Sequence, residues 1–192
     1  MKGKITIFAG LGLIIFIAIV LSFPALGLAE MKKEYYPSGK LHFEKNYQND
    51  KLEGIFREYF ESGKLMSEKN FKGGKEEGIS KLYDENGVLI YKGYYKNGKL
   101  EGLSRWFYGD GHLVSEANYR NGKLEGICKG YYESGKLWGE ANYSNDEYKG
   151  IAKEYYPNGE IKYIDTYRKG QKINRKEYDE KGKLKSDQNH PE

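Results

Sequence analysis

From residue 31 onward the apolar residues recur on a fixed ruler. Six consecutive units of 24 residues run 31–54, 55–78, 79–102, 103–126, 127–150 and 151–174, and a shortened seventh covers 175–188. The first position of each is Met31, Ile55, Ile79, Leu103, Ile127 or Ile151. The fifth is Tyr35, Tyr59, Tyr83, Phe107, Tyr131 or Tyr155, and the eleventh is Leu41, Leu65, Leu89, Leu113, Leu137 or Ile161. The seventeenth is again aromatic: Tyr47, Phe71, Tyr95, Tyr119, Tyr143 or Tyr167. Period-two placement predicts strands, with these odd positions sharing one face. No stretch of the repeat sustains the 3.6-residue spacing of an amphipathic helix.

Turn chemistry agrees with strands. Gly39, Gly63, Gly87, Gly111, Gly135 and Gly159 close short polar triplets such as Pro37-Ser38-Gly39, where a three-residue hairpin loop needs a left-handed residue. Such a loop sets position five opposite position eleven, making the Tyr and Leu cross-strand neighbours. A second turn, of the Lys96-Asn97-Gly98-Lys99-Leu100-Glu101-Gly102 kind, has two, three or more loop residues. A lone hairpin is marginal in water, but hairpins paired edge to edge share their stability along the array. The expected fold is all-β: an elongated, single-layer antiparallel meander of tandem hairpins.

The segment before the repeat is different. Lys2 and Lys4 precede an uncharged run from Ile5 to Leu21, and Gly27 and Ala29 sit three and one residues before Glu30. Residues 1–29 therefore read as a signal peptide cleaved before Glu30, or as an apolar helix retained as a membrane anchor through residues 5–21. Either reading places the repeat outside the cytoplasm, secreted or periplasmic in the first case and membrane-anchored in the second. Residues 189–192 are a polar tail.

Composition narrows the chemistry. Of 32 basic side chains, removing Lys2 and Lys4 leaves 30 against 28 acidic ones. That near-neutral balance excludes nucleic acid, which requires a clustered basic face. The single cysteine, Cys128, cannot form an internal disulfide and reads as a small sheet residue. His42, His112 and His190 read as surface residues, and no catalytic, metal-binding or phosphate-loop motif is present. The recurring Glu53, Glu77, Glu101 and Glu125 read as solvated turn residues. No cofactor is implied, and an enzyme is the least expected class.

The segments Tyr155-Tyr156-Pro157-Asn158-Gly159-Glu160-Ile161 and 95–102 resemble the bacterial variant of the MORN repeat. Arrays of that variant occur in proteins labelled YwqK-type antitoxins. The resemblance spans about 31 to 188, and it implies protein or membrane contacts without catalysis. The even positions vary from unit to unit and carry Tyr36, Phe60 and a candidate binding face of Trp106, Tyr108, Tyr132, Trp138 and Tyr156. Exposed aromatics anchor protein partners or stack on sugars, and they also pack within thin sheets. Trp138 is expected to lie opposite Gly130. Three functions follow: a protein-binding scaffold, antitoxin- or immunity-like in one version; a cell-wall or surface-glycan binder; and a membrane-surface protein.

Overall fold

The computed structural model describes residues 29–189; the leader and anchor readings fall on residues outside this range, as does most of the tail. Within it the chain forms one 18-stranded sheet in which every pairing is antiparallel and joins strands adjacent or next but one along the chain. Unit five shows the plan. An opening strand, Gly126–Tyr131, turns into Leu137–Ser144, and a tight second turn leads into Glu147–Tyr155 of the next unit.

The first turn has the expected three-residue loop. The Tyr132 amide donates to Lys136 O, the Gly135 amide donates to Tyr132 O, and Gly135 has φ of 78°. Position five faces position eleven, as in Tyr131 opposite Leu137. The second turn settles at two residues. Lys96 faces Lys99, and Asn97 and Gly98 have φ of 52° and 77°, the double left-handed signature of a type I′ turn.

One feature overturns the assignment of all odd positions to a single face. After the Tyr131–Leu137 pair the register slips, and Gly130 faces Gly139 rather than Trp138. The same bulge at position twelve recurs in every unit. One extra residue reverses the inside–outside alternation. Positions thirteen, fifteen and seventeen therefore share a face with positions two and four. This aromatic face holds the buried residues: Ser67, Ser80, Tyr91, Ser104, Ala117 and Asp165. Its rings run in diagonal chains, Phe43–Phe56–Phe71, Tyr91–Trp106–Tyr119 and Tyr143–Tyr148–Tyr167, with centroids 4.4 to 6.5 Å apart. The apolar residues at position one lie on the other side, exposed from Leu103 at 37% to Met31 at 61%.

That opposite face is held by charge. Position three is basic and position fourteen is mostly Glu, and they alternate across strands. Lys33 pairs with Glu44 at 3.0 Å, Arg57 with Glu68 at 3.0 Å, and Lys153 with Glu140 at 3.7 Å. Position-five phenols donate into the same ladder: Tyr59 to Glu44 at 2.8 Å, Tyr131 to Glu116 at 3.1 Å, and Tyr155 to Glu140 at 3.0 Å. Burial and then the bond to Glu140 push the Tyr155 hydroxyl up to about 12.

Successive turns are tied to one another as well. Glu53, Glu77, Glu101 and Glu125, expected to be only solvated, accept the backbone amides of Gly73, Asn97, Asn121 and Asn145 in the following turn, at 2.7 to 3.2 Å. Each is a charge-assisted bond that fixes one unit against the next. On the hairpin-loop side, Tyr36, Tyr108, Tyr132 and Tyr156 donate their hydroxyls to the carbonyls of Tyr59, Tyr131, Tyr155 and Tyr178.

Leu113 faces Phe107 across its hairpin, and Lys123 stands exposed beside a second turn. Leu113→Ala is expected to cost about 2 kcal/mol, the low end for a core leucine because an open sheet only half-buries it. Lys123→Ala should stay within about 0.5 kcal/mol. Thermal melts of the two variants check the pair; indistinguishable curves would contradict the placement of Leu113.

Candidate functional site

The aromatic face is uneven along the array. Position four carries Trp106 in unit four and Glu154 in unit six, but Gly130 in unit five. Position thirteen carries Tyr91 in unit three and Tyr163 in unit six, but Gly139 in unit five. The bulge aligns these two glycines as a direct cross-strand pair. Where the neighbouring units raise rings from these positions, unit five has no side chain at either. Cys128, Ala141 and Ala152 extend the low floor, and Tyr143, Tyr148, Tyr163 and Tyr167 stand around it. The recess has a volume of about 260 Å³.

Trp138 forms one wall. It is the extra residue of the bulge, and it leans back over its hairpin-partner strand: a Cβ placed on Gly130 would lie 2.9 Å from its Cε3. The indole remains 48% exposed. A second, shallower groove lies on its far side, lined by Tyr108, Tyr132, Val114 and Pro157, and it shares Ser115, Gly130 and Trp138 with the first. Trp138 is thus a ridge between two depressions.

Of the aromatics singled out by sequence, Trp138, Tyr108 and Tyr132 meet around this ridge. Trp106 is packed between Tyr91 at 5.2 Å and Tyr119 at 6.5 Å. Tyr156 spends its hydroxyl on Tyr178 O at 3.0 Å, and its ring lies 5.7 Å from the Lys162 ammonium. Sequence reasoning missed the tyrosines of position seventeen as site residues because it put them on the other face. It also missed the polar end of the recess. There Asp165 receives Nε and Nη2 of Arg175, both at 2.7 Å, and Nζ of Lys172 at 3.3 Å. Burial acts to raise the Asp165 pKa, but the bonds from Arg175 and Lys172 outweigh it and the net shift is downward.

The chemistry available is that of binding. Burial raises the Cys128 thiol above its ordinary value, so the floor carries no activated nucleophile. Among the described residues no three of His, Cys, Asp and Glu gather as a metal site. An open sheet of tandem hairpins with a recessed apolar trough defines a repeat-type β-module. The MORN repeat variant matches at residues 32–49, 52–72, 76–97, 100–121, 124–145 and 148–169, and the chain belongs to that family. No curated protein matches it.

Proposed function

We propose that this chain is an exported scaffold that binds a segment of a protein partner along the aromatic face of units four to six, with Trp138 as the anchor. The observation that carries the reading is the half-exposed indole standing over the Gly130–Gly139 floor. A rigid aromatic beside an unfilled apolar recess is the usual form of an interface hot spot. Neutralising a toxin, in the manner of YwqK-type arrays, is one version of this role. A second reading rests on the same indole: a sugar ring of a cell-wall or surface glycan stacked on Trp138. The membrane-surface reading has less behind it, since 30 basic residues after the leader are offset by 28 acidic ones.

Export rests on the basic start, the uncharged run 5–21 and the small residues before Glu30. An intact mass from the envelope fraction beginning at Glu30 supports cleavage. A full-length mass in the membrane supports the anchor, and a cytoplasmic location defeats both. The binding role is tested by affinity capture from the native envelope with the wild type and Trp138→Ala side by side. A protein held by the wild type and lost by a folded Trp138→Ala is expected. A glycan lost in its place selects the second reading, and a partner held equally by both removes this site.

A further inference from the structure

A tandem repeat carries its own control, because each unit shows what the fold requires at each position. On the charged face, three departures fall together. Position fourteen is Glu44, Glu68, Glu116 and Glu140 in units one, two, four and five, the uncharged Ile164 in unit six, but the cationic Lys92 in unit three. Position sixteen is Asn46, Asn70, Asn118 and Asn142 in those four units and Thr166 in unit six, but Tyr94 in unit three. Position five is Tyr in every full unit except the fourth, where it is Phe107.

Each change removes a bond that three other units make. Asn46, Asn70 and Asn118 donate to the carbonyls of Ile55, Ile79 and Ile127 at 2.6 to 3.2 Å. Tyr94 has no amide to do so and stands 43% exposed. Tyr59, Tyr131 and Tyr155 at position five donate to the preceding unit's position-fourteen Glu; Lys92 offers no acceptor and Phe107 no donor. At positions five and fourteen the two losses match, so neither leaves the other orphaned.

The charge is what remains. Lys92 faces Lys81 on one side and Arg105 on the other, so three cations stand in a row where the ladder alternates in units one, two, four and five. Like charges directly opposite each other repel. The outer two are drawn outward, Lys81 to Glu68 at 3.8 Å and Arg105 to Glu116 at 3.4 Å. Lys92 is exposed and has no ion pair among the described residues. On the same face beside it stand Ile79, 43% exposed, and Leu103, 37% exposed.

We propose that the charged face of units three and four docks an acidic segment of a protein partner, with a carboxylate on Lys92 and its apolar neighbours on Ile79, Tyr94 and Leu103. Charge complementarity selects this occupant. Glu68 and Glu116 close the cationic row at both ends, which suits an isolated acid between apolar residues and repels a broad anionic surface such as a lipid bilayer. The site lies on the opposite face from the Trp138 trough, so it stands or falls independently of that reading.

The test uses the isotope-labelled full chain, titrated by nuclear magnetic resonance with the probe peptide acetyl-Phe-Glu-Phe-amide. Acetyl-Phe-Lys-Phe-amide and phosphatidylserine vesicles serve as comparisons. Shift changes centred on Ile79, Lys92, Tyr94 and Leu103 are expected with the acidic peptide alone. Lys92→Glu restores the alternation of the other units, so it should melt no lower than the wild type while binding the probe at least tenfold more weakly. Lys92→Gln removes the charge without adding another, and it should also lose the probe. Binding that survives either variant, equal binding of the basic peptide, or vesicle binding through Lys92 without peptide binding would overturn the proposal.

Discussion

Trp106→Ala should lower stability by about 3 kcal/mol, whereas Trp138→Ala should leave it within about 1 kcal/mol. The two tryptophans differ by place, not chemistry. Trp106 occupies a regular strand position, paired with Tyr91 and Ser115, and its ring bridges Tyr91 and Tyr119 across two units. Truncation opens a gap that paired strands cannot collapse to fill. The value sits at the low end of the cost for a buried tryptophan because one side of the sheet is open to solvent. Trp138 occupies the bulge, pairs with nothing and leans over a glycine. Its removal exposes backbone that is already hydrogen-bonded. Chemical denaturation of both variants decides the matter; a Trp138→Ala loss as large as that of Trp106→Ala would make the indole a structural cover and withdraw the trough as a site.

Asp165→Asn carries the other large effect. Asp165 is 6% exposed, and its carboxylate holds Arg175 through two bonds and Lys172 through one. The amide leaves both cations facing a neutral group, at a cost of about 3 kcal/mol for a broken pair of this burial. The effect depends on pH in a definite sense. The folded-state pKa of Asp165 lies below its unfolded value, so its contribution is complete above the ordinary carboxylate range near about 4 and fades as pH falls through the lowered folded value. Melting temperatures at pH 7 and pH 3 should therefore converge between wild type and variant at the acid end. A gap of equal size at both pH values would show that the carboxylate's charge is not what stabilises unit six.

Most of the fold was legible because the repeat states it six times. The glycine of each hairpin loop needs a positive φ that other residues avoid, and the Tyr–Leu pair follows from loop length alone. The bulge was not legible. Position twelve is His42, Met66, Ile90, Val114, Trp138 and Lys162, a set with no shared chemistry. A bulge of this kind needs no special side chain, so nothing in the pattern marks it, and missing it misplaced every residue from thirteen to seventeen. The site suffered from the same slip. Gly130 and Gly139 were each visible as absences of a ring, but only the shifted register sets them side by side. The turn-to-turn bonds of Glu53 and its equivalents were hidden for another reason: they join residues 20 apart that meet only when units stack.

The alternating ladder gives the array a property that a globular core lacks: its length is adjustable in whole units. Because the units meet their neighbours through the same positions, excising residues 79–102 would bring Glu68 opposite Arg105 and remove the row of three cations. The alternating series would then run from Lys33 to Lys153, ending where Ile164 stands between Lys153 and Lys176, and the shortened chain would keep the trough of unit five and its Gly130–Gly139 floor. A gene that gains or drops such a segment by recombination between its own repeats would thus change what one side of the sheet recognises without touching the other.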